Sequence, residues 1–208
     1  MEARTHLLLV SLLLTCLIQS INGTVLFSSL KKTLVVTASP KPGEVLKAGE
    51  GKIRVSWGVN QTLTAGTDSA YKTIKVKLCF APISQVDRPW RKTKEELSKD
   101  KTCQFNIVSN PYDSANKTVQ THEWTIERDL PTGTYFVRAY ALDSNGDEVA
   151  YGQSTDAMKS TNLFEIQSIT GRHMSLDIAS IVFSAFSVVS LFGFFLNEKR
   201  KAKRSQEK

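Results

Sequence analysis

The sequence predicts an all-β protein, an antiparallel sandwich ectodomain carried by one C-terminal transmembrane helix. Three observations lead there. From Thr33 to Leu163 apolar residues recur at alternate positions in short runs, which is the period of half-buried strands. An Asn145-Gly146 pair stands between two such runs, a signal for a hairpin with a type I′ turn. No helix-period stretch precedes "IASIVFSAFSVVSLFGFFL", Ile178 to Leu196, whose 19 residues carry no charge. At about 1.5 Å per residue this run matches the roughly 30 Å hydrocarbon core.

Taken in chain order, residues 1–23 read as a secretory signal: Arg4, the apolar run "LLLVSLLLTCLI", then a polar stretch ending at Gly23. That run is too short to span a bilayer. Residues 24–163 form the ectodomain, 164–177 a juxtamembrane stalk, 178–196 the transmembrane helix and 197–208 a basic tail. The tail "NEKRKAKRSQEK" holds six basic and two acidic residues, which places it in the cytosol and supplies +4 of the formal +7. The outer region is left with 20 basic against 17 acidic residues, so the basic balance gives no support to nucleic-acid binding.

Cys16 leaves with the signal, so Cys79 and Cys103 are the pair remaining in an oxidising compartment, and a disulfide is expected between them. Two acceptor sequons, at Asn60 and Asn116, ask for exposed loops on the lumenal side.

The strands follow one another as "TLVVT", "KIRVSW", "TIKVKLCF", "EWTIE" and the hairpin "GTYFVRAYALDSNGDEVAYGQS", with the corner "LPTGTY" before it. The order resembles a fibronectin type III or immunoglobulin-like domain. In that resemblance Thr33 to Thr37 is strand A, Trp57 lies on strand B, "TIKVKLCF" is C, "EWTIE" is E, the hairpin is F and G, and Tyr135 is the corner tyrosine. If Tyr135 faces the core, parity puts Val137, Ala139 and Ala141 with it and turns Phe136, Arg138, Tyr140 and Leu142 outward. Counting back from the turn opposes Leu142 to Val149 and Tyr140 to Tyr151. The result is an apolar patch around Arg138, to be covered by a partner or by the chain's own loops.

Cys79 has the parity of Lys75 and Lys77, so its bridge to Cys103 is expected on the outer face, stapling "QVDRPWRKTKEELSKDK" beside that patch. Within this stretch Thr93-Lys94-Glu95-Glu96 is a capping-box pattern, and a short helix is expected from Lys94 to Asp100, with Glu95 and Lys99 four apart. Near the C-terminus, Ser180, Ser184 and Ser187 form a small-residue stripe that allows close approach of another helix.

Chemistry is sparse. There is no phosphate loop, dinucleotide glycine motif or nucleophile elbow, and no histidines stand at metal-ligand spacing. The chain reads as a non-enzyme with no cofactor and no metal.

The motifs "KVKLCFAPISQVDRPWRKTKEELSKDKTC", "ERDLPTGTYFVRAYALDSNGDEVAYGQSTD" and "GRHMSLDIASI" resemble the plant accessory proteins of high-affinity nitrate transporters, over nearly the whole mature chain. The resemblance implies a non-enzymatic, hetero-oligomeric partner of a nitrate porter of the major facilitator superfamily. The partner would support the porter's stability, its delivery to the plasma membrane and nitrate uptake in roots. Arg88, Trp90, Arg91 and Asp100 of the stapled loop, with Phe136, Arg138 and Tyr140, are the expected porter contacts, Trp and Arg being enriched at binding hot spots. Two other readings stand beside it: a single-pass adhesion or receptor-like module, against which the 12-residue tail speaks, and direct nitrate capture by Arg88, Arg91 and Lys92.

Overall fold

The computed structural model describes residues 24–114, 118–171 and 174–206. The expected signal at 1–23 and the sequon residue Asn116 lie outside them. Residues up to Ser168 form one compact unit and residues from Ile169 a second.

The first unit is the expected sandwich. One sheet holds β2 (Leu34–Ala38), β4 (Lys52–Val59) and β7 (Gln120–Thr125), antiparallel with β4 central. The larger sheet is built around β8 (Gly133–Leu142), which pairs antiparallel with β5 (Thr73–Phe80) along its length. Beyond β5 lies β6 (Phe105–Pro111). The other edge of β8 is shared: β9 (Glu148–Gln153) covers its second half and β10 (Phe164–Gln167) its start. Two short strands extend these partners in parallel, β1 (Lys31–Lys32) beside β9 and β3 (Val45–Lys47) beside β10. Strands A (β2), B (β4) and E (β7) thus face C (β5), F (β8) and G (β9), with β6 beside C, the immunoglobulin-like arrangement.

Alternation explains the core. On β4, Ile53, Val55 and Trp57 are buried while Lys52 and Arg54 face water. They meet Ile74, Val76, Leu78 and Phe80 of β5 and Tyr135, Val137, Ala139 and Ala141 of β8. The Tyr135 hydroxyl donates to the Pro131 carbonyl at 2.5 Å, the corner bond that ties the E–F turn to strand F. Where β9 passes β2, a Cβ on Gly152 would run into the Leu34 carbonyl, so only glycine fits.

Three local expectations are corrected. In the hairpin only Gly146 has a positive φ, 86°, so Asn145-Gly146 is not a type I′ pair. Asp143 instead accepts the Asn145 and Asp147 amides at 2.8 and 3.0 Å and widens the loop. A bulge follows, so Leu142 opposes Glu148 rather than Val149, while Tyr140 does oppose Tyr151. The sandwich also runs past residue 163, because Phe164–Gln167 is a strand rather than the start of a stalk.

The second unit is α1 (Met174–Gln206), whose segment Met174–Lys203 is long and apolar enough to cross a membrane. The helix continues without a break through residues 197–206. Ser180, Ser184 and Ser187 are exposed on it, the Ser187 hydroxyl donating back to the Phe183 carbonyl at 2.9 Å.

Candidate interaction site

The outward face of β8 was expected to be bare or covered, and the chain itself covers it. Parity holds: Phe136, Tyr140 and Leu142 leave the core side and form a second cluster with Leu30, Cys79, Ala81 and Cys103. Yet Phe136, Arg138 and Tyr140 are 0, 1 and 3 % exposed, which removes all three as direct contacts for a partner. The cover comes from two irregular segments. One is 25–30, whose Val25 and Phe27 pack onto the cluster with Leu97 of the loop. The other is the stretch between the cysteines, fastened by the Cys79–Cys103 disulfide. The two segments bond to each other: the Phe27 amide donates to the Glu95 carbonyl, the Leu97 amide to the Val25 carbonyl, and the Ser28 amide to Glu95 Oε1 at 2.7 Å.

Arg138 lies in the middle of this cluster. Its guanidinium sits 4.4 Å from the centre of the Phe27 ring, with Phe136, Tyr140 and Tyr151 around it. It donates to Gln153 Oε1 through Nε and Nη2, at 3.2 and 3.0 Å, and to the Tyr140 hydroxyl at 3.1 Å. Aromatic faces and neutral oxygens thus replace water around the cation. Burial pushes the Tyr140 hydroxyl pKa up, against the pull of Arg138.

The helix expected from Lys94 to Asp100 does not form. The stapled loop is three 3-10 turns, Pro82–Gln85, Pro89–Arg91 and Leu97–Lys99. Side chains of the supposed capping box are used elsewhere. The Thr93 hydroxyl donates to Gln85 Oε1 at 2.9 Å, and Glu96, not Glu95, pairs with Lys99 at 2.6 Å. Asp100 organises the loop from within. Its Oδ1 accepts the amides of Lys94 and Thr102 and the Thr102 hydroxyl, at 3.1, 3.2 and 2.7 Å. These bonds do for an irregular segment what a ladder does for a strand.

Arg91 is also turned inward. Its guanidinium lies 4.2 Å from the Phe80 ring centre and donates to the carbonyls of Ser84 and Thr132, both at 3.4 Å. It therefore cannot join exposed Arg88 and Lys92 around an anion, and direct nitrate capture by these three loses its geometry. Of the seven expected partner contacts, Arg88 and Trp90 are exposed, Asp100 is half-buried, and four are buried. Asn60 is half-exposed, with its Oδ1 accepting the Thr62 amide and hydroxyl at 3.0 and 2.9 Å. Among the described residues no three His, Cys, Asp or Glu side chains are grouped to hold a metal.

The missed residues are those of the covering segment. Its only sequence trace was the apolar spacing Val25, Leu26, Phe27 and Leu30 just beyond the expected cleavage point.

Comparison with known proteins adds to this geometry. A family profile described as "High-affinity nitrate transporter accessory, Ig-like domain" matches residues 27–171. From Arabidopsis thaliana, high-affinity nitrate transporter 3.1 is 57 % identical, with 97 % of this chain and 98 % of that protein covered. High-affinity nitrate transporter 3.2 of the same plant is 55 % identical, at 96 % and 97 % coverage. From Oryza sativa subsp. japonica, high-affinity nitrate transporter-activating protein 2.1 is 49 % identical, at 85 % and 82 % coverage.

Proposed function

This chain belongs to the family of high-affinity nitrate transporter accessory proteins, and from that premise we propose that it is the non-catalytic subunit of a nitrate porter. Its partner is a multi-span porter of the major facilitator superfamily, bound as a hetero-oligomer. Binding supports the porter's stability, its delivery to the plasma membrane and nitrate uptake. The chain enters the secretory pathway through residues 1–23 and stands with its sandwich outside the cell, its basic tail inside and Asn60 as a glycan acceptor.

Family membership is the observation that carries this reading. The structure supports it in two ways. The apolar side chains of α1 are exposed among the described residues, and the stripe Ser180, Ser184, Ser187 gives another membrane helix a place to approach closely. The stapled loop presents exposed Arg88 on a frame fixed by the disulfide, Arg91 and Asp100, and a rigid frame lowers the ordering cost of binding. Arg91 and Asp100 act here through the shape of the loop, not by touching the porter.

The test is nitrate uptake in a cell lacking both proteins, supplied with this chain, a porter, or the two together. Uptake is expected only with both. Uptake from this chain alone, or full uptake from the porter alone, sinks the proposal.

A further inference from the structure

The stapled loop carries three large apolar side chains turned into water: Ile83, Val86 and Trp90 are 68, 60 and 61 % exposed. They sit on the two adjoining 3-10 turns Pro82–Gln85 and Pro89–Arg91, with Arg88 and Lys92 exposed beside them. Elsewhere in the loop apolar side chains are used for packing, as Leu97 is. Nothing in the folding of the sandwich requires these three to be apolar.

Ser84 Oγ accepts the Thr134 amide at 2.6 Å, and the Arg91 guanidinium reaches the Thr132 carbonyl, which fixes both turns to the start of β8. The Thr132 hydroxyl in turn lies 2.8 Å from Ser168 Oγ and accepts the Ser168 amide at 3.0 Å. Ser168 is the last residue of the sandwich. The apolar turns and the exit of the chain are therefore at the same end of the domain. Only five residues, Ile169 to His173, separate Ser168 from the first residue of the membrane helix. Even fully extended, that link reaches only about 20 Å. So short a tether gives this end of the sandwich a high effective concentration at any bilayer that holds the helix.

We propose that Ile83, Val86 and Trp90 form a membrane-docking tip that beds into the lipid interface of the bilayer holding the chain's own helix. A tryptophan with aliphatic neighbours suits the interfacial layer, where its ring is half apolar and half polar. Lys92 lies where its stem can run along the tip while its charge reaches lipid phosphates, which leaves Arg88 to the porter. This needs the membrane anchor alone and no porter.

The measurement uses the full chain reconstituted, without porter, in nanodiscs of phosphatidylcholine and phosphatidylserine, brominated near the headgroup or plain. Trp57 and Trp124 are buried at 2 and 8 % exposure, so subtracting the emission of Trp90→Phe isolates Trp90. Bromination is expected to quench Trp90 about twofold or more, as for an interfacial tryptophan. Ile83→Ser with Val86→Ser should abolish the quenching while the near-ultraviolet circular dichroism stays unchanged. Equal Trp90 emission in the two lipids overturns the proposal. So does shielding of Trp90 from aqueous iodide that appears only once a porter is added, which would give the tip to the porter. Neither result touches the accessory reading, since uptake is read separately.

Discussion

Along β8, Tyr135, Val137, Ala139 and Ala141 pack against regular strands, whereas Phe136, Arg138, Tyr140 and Leu142, alternating with them, pack beneath irregular chain. Both faces exclude water, by different means. On the inner face the covering sheet satisfies its own backbone through ladder bonds, and apolar side chains suffice. On the outer face the cover has an isolated antiparallel bridge, Leu26 with Glu96, in place of a ladder, so side chains supply further partners: Gln85, Glu95, Asp100 and Gln104 bond amides, hydroxyls and carbonyls of the cover. A disulfide closes it, and a cation fills its centre among rings. The inner face is fixed by pattern and volume, the outer one by a set of specific bonds.

The contrast can be broken most strongly from the inside. Leu78→Ala removes a fully buried side chain between the sheets and is expected to cost about 3 to 5 kcal/mol, lowering the whole denaturant transition together. Replacing both Cys79 and Cys103 by alanine opens a loop of 24-residue separation, worth about 3 kcal/mol in the chain-entropy view. Here limited proteolysis should cut between residues 81 and 104 before the strands unfold, and one concerted transition would erase the distinction between the faces.

Smaller effects sharpen it. Asp100→Ala strips the Lys94 and Thr102 amides of their acceptor at a cost of about 1 to 3 kcal/mol. Hydrogen exchange should rise at those amides alone, with porter co-purification falling in step. Unchanged co-purification despite faster exchange would separate loop shape from binding. The smallest effect is one of pH. The Ser28 side chain, together with the Ser28 amide, holds the Glu95 carboxyl below its usual pKa range, so their contribution is present while it is ionised and is lost as pH falls. Protection of the Ser28 amide should persist at the ordinary glutamate pKa of about 4.3 and be lost only as pH falls below it, with β5 amides unaffected.

The strands were legible because alternation is a local property that survives in one dimension: "KIRVSW" and "TIKVKLCF" announce their buried sides residue by residue. The parity of Cys79 and of Phe136, Arg138 and Tyr140 was legible for the same reason. Exposure was not, since a sheet face carries no mark of what lies over it. The capping-box pattern at Thr93 to Glu96 misled because Gln85, Asp100 and Ser28, distant in sequence or on the far side of the loop, offered those groups other partners. The hairpin register slipped by one because Asp143 captured two amides and inserted a bulge.

The sequence by itself determined the class of fold, the faces of the strands, the cysteine pair and an apolar helix of spanning length, all set by periodicity, composition and length. Tertiary structure alone decided that segment 25–30 closes over Arg138, that Arg91 and Asp100 serve inside the loop, and that Ile83, Val86 and Trp90 stand at the end where the chain leaves the sandwich. These depend on contacts between residues far apart in the chain, and only packing and the satisfaction of buried backbone groups choose among them.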